Sequence, residues 1–297
     1  MAVVDRLSAL LPPGTAEQLA SNRDRLTEIR LRAGRSAQLC WNGGGLLTED
    51  VVDALALSRL VAALLEFSIY ARQDELDRGY FTLEDGSRVG VCGRMFRDGT
   101  GPRMGEIGSI CVRVARALPG CANVLMDGID APSGLRSTLL LSPPGRGKTT
   151  LLRDIARQLS GRGYNVAVSD ERHELAACHR GIPALDVGTR TDVMDGCLRS
   201  EAIGRLLRSM APEVVVADEI GGEADAAALA DAARAGVKVM ASAHGDGLDD
   251  LLARPCLKAV AEVGVMDRVA LLGPSPGQIR AIWRRDGGEG GSTWRRE

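Results

Sequence analysis

A glycine-rich turn set between an apolar run and a helical run constrains this chain more than any other feature. Ser142-Pro143-Pro144-Gly145-Arg146-Gly147-Lys148-Thr149-Thr150 follows Thr138-Leu139-Leu140-Leu141 and leads into Leu151-Leu152-Arg153-Asp154-Ile155-Ala156. Strand, loop and helix in that order are the setting a phosphate-binding loop requires. The glycines let backbone N–H groups close around phosphate oxygens. Lys148 is placed to reach the β- and γ-phosphates, and the Thr149 hydroxyl to hold Mg²⁺. The helix that follows aims its positive end at the same oxygens. All nine residues, Ser142 to Thr150, are therefore candidate contacts for a nucleoside triphosphate. The usual pattern opens with Gly, and here Ser142 takes that place. A side chain there disfavours positive φ, so looser nucleotide binding is expected.

Val214-Val215-Val216-Ala217-Asp218-Glu219 is the second signal. A buried strand ending in two acids puts carboxylates at the carboxyl edge of a sheet, where α/β folds bind ligands. Asp218 is expected to hold Mg²⁺ through its water shell, and Glu219 to orient or deprotonate an attacking water. Ser169-Asp170-Glu171-Arg172-His173-Glu174 ends another strand-like run with three acids, whose mutual repulsion Mg²⁺ and Arg172 would balance. Ala241-Ser242-Ala243-His244-Gly245 ends a third, and His244 is placed to sense a γ-phosphate. His173-Glu174 begins like a zinc-protease motif, but its fifth residue is Ala177. Cys178-His179 does not complete it, and no zinc is expected.

Composition narrows the rest. The 297 residues suffice for one large or two ordinary domains. Aromatic residues make up only 3%, too few for a base-stacking surface, and the net charge of −2 carries no broad basic footprint. No nucleic acid is expected as a partner. No apolar stretch is long enough to span a bilayer, and the N-terminus does not read as a secretory signal. The seven cysteines are scattered without a C-x-x-C pair, which suits a reducing cytoplasm and small buried side chains.

Residues 1–130 read as a smaller α+β domain. Short helices are predicted over 5–11 and 15–20, a strand over 26–32, a hairpin around Gly43-Gly44-Gly45, and a helix over 52–70. A second hairpin turns at Asp85-Gly86, and 110–114 alternates again. Residues 131–285 change character. Strands are predicted over 137–141, 165–169, 213–217, 237–242 and 267–272, with a last one over 278–283. Helices over 149–159, 202–210 and 224–235 alternate with them, the signature of a doubly wound α/β domain. The Gly-rich, charged tail, 286–297, is expected to be disordered.

Arginine is the residue suited to stabilising a transferring phosphoryl group, often from a neighbouring subunit. Arg30, Arg32, Arg113 and Arg116 lie in the first domain, and Arg190, Arg199, Arg205 and Arg208 precede the Asp218-Glu219 pair. Spacing does not choose among them.

These segments together resemble the stage III sporulation AA family of the secretion-ATPase superfamily. The resemblance covers residues 25–283. Its most specific parts are Glu28-Ile29-Arg30-Leu31-Arg32-Ala33-Gly34-Arg35, Ser68-Ile69-Tyr70-Ala71, and the segments 78–94 and 109–116. In the second half it includes Asp170-Glu171-Arg172, Gly188-Thr189-Arg190-Thr191-Asp192-Val193 and Arg208-Ser209-Met210-Ala211-Pro212-Glu213. It implies a RecA-like P-loop ATPase domain behind the N-terminal domain, Mg²⁺ and ATP as cofactors, and six copies in a ring. It places the catalytic acid at Glu174 or Glu219 and the histidine box at His244. The implied role is to energise a secretion-like channel during sporulation, between mother cell and forespore. The ATPase would lie in the mother-cell cytoplasm, held to the outer forespore membrane by membrane-protein partners. Two other readings share the loop: a nucleic-acid translocating or packaging ATPase, and a nucleotide-binding ring scaffold with little hydrolysis. Few aromatics and a near-neutral charge disfavour the first. The two acid segments disfavour the second.

Overall fold

Ile29 and Leu31 are buried, while Glu28, Arg30 and Arg32 between them are half-exposed, and this alternation builds the first part of the molecule. The computed structural model describes residues 3–297 apart from 42, 67–72, 100, 116, 180, 263, 276 and 289–290. Contacts divide the chain into two units, residues 1–116 and 117–297.

The first unit contains α1 (Val3–Ser8), α2 (Pro13–Asn22), β1 (Glu28–Arg32), β2 (Arg35–Trp41) and β3 (Gly44–Val52). Next come α3 (Ala54–Leu64), α4 (Gln73–Asp77), β4 (Tyr80–Thr82), β5 (Arg88–Asp98) and β6 (Gly101–Arg113). The strands form one antiparallel sheet in the order β3-β2-β1-β6-β5-β4. Val4 and Leu7 of α1, Leu19 of α2 and Leu57, Leu60 and Leu64 of α3 join Ile29, Leu31, Leu39, Val89 and Val112 in one core. The predicted hairpin at Asp85-Gly86 is present, with Gly86 at φ +81°. The helix predicted over 52–70 begins later, because Val52 still belongs to β3 and the Asp53 side chain caps Ala56 N at 2.7 Å. Ser68-Ile69-Tyr70-Ala71 and Arg116 lie outside the described residues.

The second unit begins with α5 (Asn123–Ile129), β7 (Asp130–Ala131), β8 (Gly134–Leu135), β9 (Thr138–Leu141) and α6 (Lys148–Gly161). It continues through β10 (Val166–Asp170), β11 (Thr191–Asp195), α7 (Arg199–Met210), β12 (Val214–Ala217) and α8 (Glu223–Arg234). It ends with β13 (Lys238–Ala243), α9 (Leu248–Ala253), α10 (Pro255–Glu262), β14 (Arg268–Leu272), β15 (Ile279–Gly288) and β16 (Gly291–Arg296). Eight strands line up as β11-β10-β12-β13-β9-β14-β15-β16, parallel from β11 through β14 and antiparallel beyond. Alternate residues of the same strand enter different cores. Val214 and Val216 pack with Leu151, Leu152 and Ile155 of α6, whereas Val215 and Ala217 pack with Ile203 of α7 and Leu229 of α8. Burial on both faces is why these strands read as unbroken apolar runs.

Two expectations need correction. The boundary between the units falls after residue 116, not at 130. Ala122, Leu125, Met126 and Ile129 share a core with α6, and Asp154 accepts from Ala122 N at 2.9 Å. The tail is not wholly unstructured, since β16 pairs with β15 from Gly288↔Gly291 to Trp283↔Arg296. Trp294 packs on the core, and Glu297 ion-pairs with the buried Arg268 at 2.7 Å. One aromatic anchor and one buried cation outweigh the Gly-rich composition there. Among the described residues, no helix is long and apolar enough to cross a membrane.

Candidate phosphate site at the carboxyl edge of the parallel sheet

The four residues of β9 are fully buried and deliver the chain into the Ser142–Gly147 turn. Gly145 and Gly147 sit at φ +75° and +88°, where a side chain would strain the backbone, and Gly147 caps the start of α6. Ser142 does not share that conformation. Its N donates to Ala243 O at 3.4 Å and its O accepts from Gly245 N at 3.3 Å, so it prolongs the pairing with β13. Among the described residues, positive φ outside glycine occurs at Glu66, His173, Ala177, Ala211 and Glu219, not at Ser142. A Cβ at position 142 therefore costs no backbone strain.

Lys148 is only 5% exposed. Its ammonium donates to Ser142 O at 2.9 Å, Pro143 O at 3.2 Å and Ser142 Oγ at 3.3 Å. It also lies 3.1 Å from His244 Nδ1. Burial lowers its pKa below the usual lysine value, opposed by the charges of Asp218 and Glu219. An ammonium can only donate, so Nδ1 accepts and the imidazole proton sits on Nε2. Nε2 meets Glu219 Oε1 at 3.2 Å. Glu219 Oε2 in turn accepts from Arg172 Nη1. Lys148, His244, Glu219 and Arg172 thus form one hydrogen-bonded chain. It crosses the sheet in strand order, from the end of β9 over β13 and β12 to β10.

Asp218 completes the centre. Its Oδ2 accepts from Thr149 Oγ1, and its Oδ1 accepts from Ser242 Oγ and from Glu219 N, the latter at 3.1 Å. The predicted Lys148, Thr149, Asp218, Glu219 and His244 are therefore all brought together. A hydroxyl beside a carboxylate is an all-oxygen donor set that suits a hard cation such as Mg²⁺. Ser242, fully buried at the end of β13, is a member that sequence reasoning passed over. Its only signal was a hydroxyl in the apolar run that follows Lys238 in β13.

The acid segment after β10 divides its labour. Asp170 is 3% exposed, and its carboxylate accepts from four backbone N–H groups, those of Glu174, Leu175, Ala176 and Ala177, at 2.8–3.3 Å. It builds the turn. Glu171 pairs with Arg199 at 3.3 Å, and Arg199 with Asp225 at 2.8 Å. Glu174 lines one cleft with Arg172, Asp218 and Glu219. Arg153, also missed from sequence, ties α6 to this turn through the Glu174 and Leu175 carbonyls, both at 2.6 Å. Burial lowers its pKa, opposed first by Asp170.

Four of the remaining arginines are paired away from this cleft. Arg30 and Arg113 meet Glu28 at 2.9 and 3.6 Å, Arg32 donates to Gln38 at 3.2 Å, and Arg205 pairs with Glu201. Arg190 and Arg208 are exposed. The Cys178 thiol is buried and its pKa pushed up to about 12, which makes it a poor metal ligand.

A parallel sheet with this loop, two acids and a histidine at its carboxyl edge defines the RecA-like P-loop ATPase fold. The same fold is found in the Legionella pneumophila ATPase DotB, with a TM-score of 0.60 over 95% of this chain and 78% of that one at 14% identity. It is found again in the pilus retraction motor PilT, solved with bound ADP, with a TM-score of 0.55 over 94% and 81% at 14% identity. At that identity the likeness speaks for fold alone. Sequence goes further: the family described as "Sporulation stage III, protein AA" matches residues 13–289, and the chain belongs to it. Stage III sporulation protein AA of Bacillus subtilis (strain 168) is 38% identical over 270 residues, 88% of each chain. Protein SEEDLING PLASTID DEVELOPMENT 1 of Arabidopsis thaliana is 28% identical over 276 residues, 90% of this chain but 37% of that one.

Proposed function

We propose that the chain is a Mg²⁺-dependent ATPase that works as a ring-forming motor, energising a secretion-like membrane complex during sporulation. The observation that carries this reading is the hydrogen-bonded chain from Lys148 through His244 to Glu219, beside the Thr149–Asp218 pair. It joins a residue suited to phosphate with one suited to water. The loop N–H groups and Lys148 bind phosphate oxygens. Thr149 and Asp218 would hold Mg²⁺, which would supply positive charge to offset that of the phosphates. Glu219 accepts a proton from the attacking water, and His244 relays to it whether Lys148 has engaged a phosphate. Glu174 shares the cleft as the alternative acid. An arginine from a neighbouring copy completes the charge balance, which calls for a ring, with six copies as the family implies. Membership in the sporulation family supports a role in sporulation, and in this reading membrane-protein partners hold the motor at the mother-cell face of the outer forespore membrane.

Turnover with Mg·ATP, measured alone and with the membrane partner, tests the reading together with mass in solution. Lys148→Ala should cut turnover roughly 10²–10³-fold, and EDTA should abolish it. Full activity in Lys148→Ala would overturn the mechanism. A monomer under every condition would overturn the ring.

A further inference from the structure

We propose that Arg172 is the positioning residue that holds the Glu219 carboxylate for its work on water. The inference rests on the reading that Glu219 acts on the attacking water. Arg172 lies in the turn just after β10, and its Nη1 donates to Glu219 Oε2, while His244 takes Oε1 from the side of β13. Both carboxylate oxygens are thus gripped from the two strands that flank β12.

The backbone agrees with that aim. Glu219 stands at φ +54°, a left-handed conformation that is costly for a side chain with a Cβ. Ser242 holds it there: its Oγ accepts from Glu219 N at 2.9 Å, and its O accepts from Ile220 N at 2.8 Å. Strain kept by specific bonds at one residue points to a use for that residue.

Stability does not explain the Arg172–Glu219 pair. The Arg172 side chain is 58% exposed and that of Glu219 23%. Ion pairs this wet contribute little to folding. What remains is direction: one N–H of a rigid, planar guanidinium fixes the place of a carboxylate oxygen in a way that a freely rotating ammonium does not. Like charge supplies a second reason. Glu174, Asp218 and Glu219 line one cleft, and without a cation between them Glu219 would turn away.

The test compares kcat, KM and the affinity of a fluorescent ATP analogue across four variants of the full chain. Arg172→Ala should lower kcat about tenfold or more, with KM and analogue affinity within about twofold of wild type. Arg172→Lys should recover part of the loss. In a Glu219→Gln background, Arg172→Ala should add nothing further, since it acts through the residue already disabled. Wild-type kcat in Arg172→Ala, or a loss that adds in full to that of Glu219→Gln, overturns the proposal. Wild-type kcat in Glu219→Gln instead removes the reading on which it rests. A crystal structure with Mg²⁺ and a non-hydrolysable ATP analogue gives an answer without turnover. Arg172 should remain on Glu219, and Arg172 bound to another carboxylate overturns the proposal.

Discussion

Thr149 Oγ1 donates to Asp218 Oδ2, joining the first turn of α6 to the end of β12 across 69 residues of chain. The bond holds a hydroxyl and a carboxylate side by side, an oxygen pair that would suit a hard cation such as Mg²⁺. Asp218→Ala removes the carboxylate and strips partners from Thr149, Ser242 and Glu219 N. It should raise the Mg²⁺ concentration needed for half-maximal turnover by roughly 10–100-fold. It should also cost about 1–3 kcal/mol of stability, read by urea unfolding. An unchanged Mg²⁺ requirement would remove Asp218 from the cation site.

Lys148 predicts a pH signature. Its folded pKa is depressed by burial, so the unfolded chain holds the proton to higher pH than the folded one. The burial penalty is present in full below the folded pKa and fades as pH rises towards the ordinary lysine value of 10.5. Wild type should therefore gain stability relative to Lys148→Met as pH is raised through that window. Denaturant melts of both proteins across the alkaline range measure it. A stability gap that does not change with pH would show that Lys148 is not desolvated.

Ser142 should not behave as a defect. Its φ is not positive, its hydroxyl donates to Pro143 O at 2.8 Å, and the same hydroxyl oxygen accepts from Lys148 at 3.3 Å. Ser142→Gly removes these bonds and frees the unfolded chain, at a cost of about 0.5–1 kcal/mol. Calorimetric titration with an ATP analogue should show equal or weaker binding. Tighter binding in the glycine variant would mean that the loop is held back by this serine after all.

The C-terminal strand carries a stability prediction. Arg268 is 4% exposed and meets Glu297 at 2.7 Å, so Glu297→Ala leaves a buried guanidinium without that carboxylate. A loss of about 1–3 kcal/mol is expected. Deleting residues 291–297 should cost more, because Trp294 and the strand pairing with β15 go with it. Thermal melts equal to those of the full chain would show that β16 is not part of the folded sheet.

Much of the second unit is legible before any coordinates. Val214-Val215-Val216-Ala217 reads as a strand buried on both sides because it is one, and Asp218 must then emerge at the sheet's carboxyl edge. Asp170 was legible as an acid at such an edge but not in its role. Four backbone donors to one carboxylate come from a turn that no spacing rule describes. The α5 helix escaped assignment for a related reason, since its partner surface on α6 lies beyond the phosphate loop in the chain.

The amino-acid sequence by itself determined the phosphate loop, the parallel strands of the α/β unit other than β11, the alternating strands of the first unit and the family. Those depend on local periodicity, on glycine's access to positive φ and on the order of residues along the chain. Only the tertiary structure decided that β9, β13, β12 and β10 lie side by side, and so that Lys148, His244, Glu219 and Arg172 join hands in that order. Strand order comes from which helices cover which face, a sum of many weak contacts far apart in sequence. The chemistry of four side chains follows from it.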